Sequence, residues 1–159
     1  ASGQTASYYI DAKRALLSPP GFAAVGQLVA DEARRVRASA VGGLTIGADP
    51  VACAVLAADI DLSAFLVRKQ RKEHGLQRWI EGPLRKPGDR CLIVDDVVTT
   101  GGSTITAIEH VRAEGLEVAG VVSVLDRQAG GGDAIEEAAQ APYVPLTTID
   151  DVYPERPDR

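Results

Sequence analysis

Sulfur is scarce in this chain, and long apolar runs and a net positive charge are missing; each removes a class of protein. The two cysteines, Cys53 and Cys91, sit inside apolar segments without metal-ligand spacing. Buried free thiols in a reducing cytosol are therefore expected rather than a zinc site or a disulfide framework. No apolar run reaches membrane-spanning length and no signal-peptide pattern opens the sequence, so a cytoplasmic protein with no membrane partner is expected. The net charge of −5 argues against nucleic acid as a partner. Internal repeats are absent, and low complexity is confined to Gly130–Gly132 and the tail. The chain opens on Ala1-Ser2-Gly3-Gln4 without a methionine, from which a preceding segment is expected.

What is present reads as one domain over residues 1–159, long enough to bury a single core. Its organising stretch is Cys91–Thr104. Four apolar residues, Cys91 to Val94, suit a strand buried on both faces. They run into two adjacent carboxylates, Asp95 and Asp96, then a threonine- and glycine-rich turn, Thr99 to Thr104, and a helical pattern from Ile105. Hydroxyls and flexible backbone at a helix N-terminus attract an anion. Carboxylates beside an anion cradle match a ligand carrying both hydroxyls and a phosphate, and a phosphorylated sugar fits. The turn lacks the lysine of a P-loop, which weakens a nucleotide-hydrolase reading.

The rest of the chain alternates strands and helices. Ser7–Asp11 reads as a short extended segment with two tyrosines, and Ser18-Pro19 starts a helix to about Arg37. Ala40-Val41 ends a strand before a glycine-rich loop, Gly42 to Pro50, and a helix over Val51–Ala58. Leu62–Val67 is a strand followed by a basic cluster, Arg68-Lys69-Gln70-Arg71-Lys72-Glu73-His74-Gly75, in a loop to about Arg85. A helix from Ile105 to near Gly115 precedes a strand over Val118–Leu125, which ends in Asp126-Arg127-Gln128. A short helix over Ala134–Ala139, a strand over Tyr143–Thr148 and a frayed tail from Pro154 complete the reading. The fold class is α/β, with a mainly parallel central sheet flanked by helices. In such sheets the strand ends at Val41, Val67, Val94 and Leu125 share one carboxyl edge, where ligands bind.

The stretch Cys91–Thr104 resembles the ribose-phosphate signature of type I phosphoribosyltransferases. The basic cluster Arg68 to Gly75 resembles the catalytic loop of one branch, the orotate phosphoribosyltransferases. Tyr8-Tyr9-Ile10-Asp11 resembles that branch's base-flanking aromatic segment, Asp126-Arg127-Gln128 its orotate-contacting strand end, and Gly42–Pro50 occupies the place of its diphosphate loop. The resemblance implies a type I phosphoribosyltransferase fold with a small hood from the N- and C-terminal segments. It implies transfer of the phosphoribosyl group of 5-phosphoribosyl 1-diphosphate to orotate, giving orotidine 5′-phosphate and diphosphate in pyrimidine synthesis. Mg2+ is the implied cofactor, with Asp95 and Asp96 as its candidates through water, and the implied assembly is a homodimer whose basic loop serves the neighbouring subunit.

By position, Asp95, Asp96, Val97, Val98, Thr99, Thr100, Gly101, Gly102 and Ser103 would bind the phosphoribosyl group. Arg68, Lys69, Lys72 and His74 would serve the diphosphate, with Lys69, Lys72, His74, Asp95 and Asp96 as the catalytic set. Arg127 and Thr99 would contact orotate, with Tyr9 and Ile10 nearby. Two family lysines are missing, replaced by Ile46 beside the diphosphate loop and by Ala1 near the start. Backbone groups, magnesium or Arg71 are the candidates to substitute. Two rival readings stay open: a phosphoribosyltransferase for another nucleobase, and a regulatory nucleotide-binding protein on the same fold.

Overall fold

The computed structural model describes residues 8–71, 78–83 and 86–157. Six strands form one sheet in the order β3-β2-β1-β4-β5-β6. These are β1 (Ala40–Leu44), β2 (Ser63–Val67), β3 (Ile80–Glu81), β4 (Arg90–Val98), β5 (Glu117–Asp126) and β6 (Tyr143–Thr148). All neighbouring pairs are parallel except β2 with β3. Chain order moves outward from β1 to β2 and β3, then returns across β1 to β4 and continues to β6. The strand order therefore reverses between β1 and β4, and the crevice outside their carboxyl ends is where such sheets hold ligands.

The helices are α1 (Lys13–Leu16), α2 (Pro19–Arg35), α3 (Asp49–Ala58), α4 (Gly102–Ala113), α5 (Gly131–Ala139) and α6 (Ile149–Val152). Strand periodicity divides the core between the two faces of the sheet. In β4, Cys91 and Ile93 join Phe65, Ala107, Ile108, Val111 and Ile135 on the α4–α5 face. Leu92 and Val94 join Leu16, Val29, Ala33, Val51 and Val55 on the α1–α3 face. This two-faced burial explains the apolar run without alternation.

Several boundaries differ from the sequence reading for identifiable reasons. The central strand does not stop at Val94; it runs through both carboxylates to Val98 and stays paired with β5 as far as Asp126. Helix α2 stops at Arg35 because Arg37 takes a left-handed φ of 56°. The stretch read as a single long loop after Val67 contains β3, which adds an antiparallel edge through Leu66 and Val67. The segment read as extended around Tyr9 leads into α1, whose Leu16 is fully buried.

The tail, exposed at Pro154, Glu155 and Pro157, is tied down at Arg156. The Tyr153 ring meets Tyr8 edge-on at 5.4 Å, and Arg156 ion-pairs with Asp150. The two terminal segments thus meet over the β4–β5 end of the crevice, where the sequence reading expected a small hood. Cys91 is buried as expected, whereas Cys53 is exposed. Helix α3 buries Val51, Ala52, Ala54 and Val55, and that spacing turns position 53 outward.

Candidate functional site

The alternation that divides the core also separates the two carboxylates. Asp95 follows Cys91 and Ile93 toward α4, while Asp96 follows Leu92 and Val94 toward α1 and α3. Both residues are buried, at 4% and 8% exposure. On the α4 side, Asp95 Oδ2 accepts hydrogen bonds from the Ser103 hydroxyl at 2.8 Å and the Thr104 hydroxyl at 2.7 Å. Burial pushes the Asp95 carboxyl above its ordinary range; the two hydroxyls oppose that shift, and the neighbouring Asp96 charge adds to it. On the other side, Lys13 Nζ donates to Asp96 Oδ2 at 2.5 Å. That bond to Asp96 is the main cause holding the Lys13 ammonium above its ordinary value.

The turn after β4 closes through Gly101, whose φ of 79° lies in the left-handed region that favours glycine. Helix α4 then begins at Gly102 with no side-chain cap, so its first amides stay directed at the turn. Ser103 and Thr104 sit in that first turn and carry the hydroxyls that bind Asp95. The anion cradle and the carboxylate are thus built as one unit. The loop after β1 presses on the same place: a Cβ at Gly47 would collide with Asp96 Oδ1. Thr45 is held to the end of β2 by its amide donating to the Val67 carbonyl at 2.9 Å, and the peptide between Thr45 and Ile46 is cis. Ile46 is 70% exposed, so no charge projects from this loop where the sequence reading noted a missing lysine.

At the end of β5, the Arg127 amide donates to the Val98 carbonyl at 2.9 Å, which fixes this strand end beside the turn. Its guanidinium carbon lies 4.9 Å from the centre of the Tyr8 ring. Arg127 Nε is buried and has no hydrogen-bond partner among the described residues. Below it, Asp126 accepts from the Gln128 amide at 2.6 Å and from the Tyr143 hydroxyl at 3.0 Å. Of the aromatic segment, Tyr9 is 83% exposed and Ile10 is half-buried; Tyr8 makes the contact with Arg127.

The basic segment is described at its two ends. Arg68 donates its amide to the Trp79 carbonyl at 2.8 Å, and its guanidinium pairs with Glu81 at 3.1 Å. Trp79 stacks on His110 of α4 at 3.5 Å, and Arg71 lies over the Trp79 ring at 4.9 Å. His110 Nδ1 donates to the Arg68 carbonyl at 3.1 Å. Lys69 is exposed beside an open depression that it lines with Thr45, Leu66 and Arg68. Lys72 and His74 lie outside the described residues.

The geometry therefore brings Asp95, Asp96, the turn Thr99–Ser103 and Arg127 to one edge, with Lys69 at its β2 side. Sequence reasoning missed Lys13, whose place two residues after Asp11 drew no attention because α1 was not foreseen. It also missed the Trp79–His110 stack, which joins residues far apart in the chain. Among the described residues, no three His, Cys, Asp or Glu side chains are grouped to hold a metal. Two adjacent carboxylates without a third ligand suit a hard cation held largely by water and by a ligand's own phosphate oxygens. No helix among the described residues is long and apolar enough to cross a membrane.

The Phosphoribosyl transferase domain model matches residues 40–140. An orotate phosphoribosyltransferase of Streptomyces avermitilis is 49% identical over 146 residues, spanning 89% of this chain and 80% of the relative. One from Corynebacterium glutamicum is 46% identical over 152 residues, spanning 95% and 82%. Among solved structures, Mycobacterium tuberculosis orotate phosphoribosyltransferase with Fe(III) dicitrate superposes with a TM-score of 0.85 at 43% identity, covering 96% of this chain and 87% of that one. The same enzyme with 5-phospho-α-D-ribosyl 1-diphosphate gives 0.80 at 39% identity, covering 92% and 84%.

Proposed function

The chain belongs to the phosphoribosyltransferase family and, within it, to the orotate phosphoribosyltransferases, and from that premise we propose how its own residues carry the transfer. The reaction joins orotate to the anomeric carbon of 5-phosphoribosyl 1-diphosphate and releases diphosphate, a step of pyrimidine synthesis. A ring nitrogen of orotate forms the new bond and loses its proton, while the bonding electrons of the old one leave on a diphosphate oxygen.

The amides and hydroxyls of Thr99–Ser103 hold the 5-phosphate at the start of α4. Asp95 and Asp96 accept hydrogen bonds from the ribose hydroxyls, with the half-buried Val97 beside them, whereas the Val98 side chain expected there is packed in the core. Asp95 and Asp96 would hold Mg2+ through water, and the ion supplies positive charge that offsets the diphosphate's negative charge. The loop Thr45–Ala48 and the cations Lys69, Lys72 and His74 receive the diphosphate, where fixed positive charge stabilises the leaving group as it develops. Arg68 stands at the base of that segment and braces it through Glu81. Arg127 pairs with the orotate carboxylate or ring carbonyl, for which a guanidinium is suited, with Thr99, Tyr9 and Ile10 around the base. The chain acts as a homodimer in the cytoplasm, its basic segment serving the partner's site.

The observation that carries this reading is the buried Arg127 Nε, without a hydrogen-bond partner among the described residues, at the strand end beside β4. An unpaired buried donor is costly unless a ligand acceptor meets it. Initial rates with orotate, uracil, hypoxanthine and adenine, each with 5-phosphoribosyl 1-diphosphate and Mg2+, test the choice of base. Turnover of orotate alone is expected; turnover of a purine or uracil but not orotate would overturn it.

A further inference from the structure

Lys13 is the cation the chemistry above does not use. It projects from α1 onto Asp96 Oδ2, while the other oxygen of the same carboxylate faces Gly47 in the loop after β1. The ammonium and the diphosphate loop are thus one carboxylate apart. That loop carries Ile46, exposed and uncharged, at the place where a cation would meet the leaving diphosphate. The Lys13 side chain is 37% exposed on a flexible four-carbon stem, against 11% for Asp96, so it is the partner free to move.

We infer that Lys13 is a substrate-binding residue: it neutralises Asp96 in the free protein and transfers its ammonium to a diphosphate oxygen when the substrate binds. The inference rests on the phosphoribosyl reading of this crevice. An incoming diphosphate oxygen offers the ammonium an acceptor of the same kind as Asp96, at little electrostatic cost. Release of Asp96 frees its carboxylate for the ribose hydroxyls. The exchange also supplies the charge absent at Ile46, from a different element of the fold.

The test measures binding of 5-phosphoribosyl 1-diphosphate with Mg2+ by calorimetry, without orotate and hence without turnover, together with orotate kinetics. Lys13→Met is expected to weaken that binding by about tenfold, the worth of one charged hydrogen bond, with orotate KM unchanged. Lys13→Arg should restore most of the loss, and Lys13→Met with Ile46→Lys should recover binding by returning a cation from the loop itself. Unchanged binding in a folded Lys13→Met variant would overturn the inference. So would a loss that neither Lys13→Arg nor the added Ile46→Lys repairs. If the wild type binds the diphosphate sugar in a Lys13-dependent way but turns over another base, the orotate assignment fails and the role of Lys13 stands.

Discussion

In the function proposed, the acidic end of β4 and the basic segment after β2 serve the same ligand by opposite means. Asp95 is buried and pinned by two hydroxyls from α4, and the loop after β1 approaches the neighbouring Asp96 so closely that Gly47 has no room for a Cβ. Lys69 is exposed, and the structure gives it no ion pair among the described residues, while its neighbour Arg68 is tied to Glu81. On the function proposed, the sugar and its phosphate meet a preorganised surface, whereas the leaving diphosphate meets charge on exposed side chains such as Lys69. Substitutions on the two sides should separate activity from stability in different ways.

The largest effect is expected at the pinned end. Asp95→Asn keeps the shape and should cut kcat/KM for orotate by about a hundredfold or more, the scale for losing a preorganised charged contact. Its Tm should hold at neutral pH, because burial already penalises the charged form. The pH dependence has a definite sign. The folded carboxyl titrates above its ordinary range, so the native chain binds a proton in that window that the unfolded chain does not. In magnesium-free buffer, wild-type Tm should therefore gain on that of Asp95→Asn as pH falls through the window. A gap moving the other way would contradict the buried-charge account.

On the exposed side, Lys69→Ala should lower kcat by about tenfold while leaving Tm unchanged, since it removes charge without packing. Equal losses of Tm and activity would show the segment to be structural. Mixing Lys69→Ala with Asp95→Asn subunits sharpens the comparison. If the segment serves the partner's site, heterodimers should regain activity; no recovery after confirmed subunit exchange would confine each site to one chain.

The smallest effect is expected at α6, outside both segments. Asp151 closes a capping box on Thr148, and those bonds hold its carboxyl below the ordinary range. Its stabilisation is present above that range and is lost as pH falls through the folded value. Asp151→Ala should lower Tm by about 2 °C near neutral pH and by less in acid, with activity intact.

The same contrast governs what the residues reveal on their own. The alternating elements, the α/β class and the phosphate turn were legible because local spacing builds them: the apolar run of β4, the carboxylates and the helix start all lie within Cys91–Thr104. Arg127 was legible as a charge ending an apolar strand. Lys13 was not, because its partner lies far along the chain and only the alternation of β4 turns Asp96 toward α1. The strand's continuation to Val98 was hidden for a related reason. Adjacent carboxylates read locally as a strand end, yet pairing with β5 and hydroxyls donated from α4 keep them in the sheet. Cys53 misled for want of the tertiary face of α3.

The function proposed above has the acidic edge bind the sugar phosphate and the arginine at the neighbouring strand end select the base. The direct measurement is the pair of Michaelis constants in Arg127→Met. The KM for orotate should rise by about tenfold or more, with that for 5-phosphoribosyl 1-diphosphate unchanged. A rise confined to the diphosphate sugar, or equal for both substrates, would contradict that division of labour.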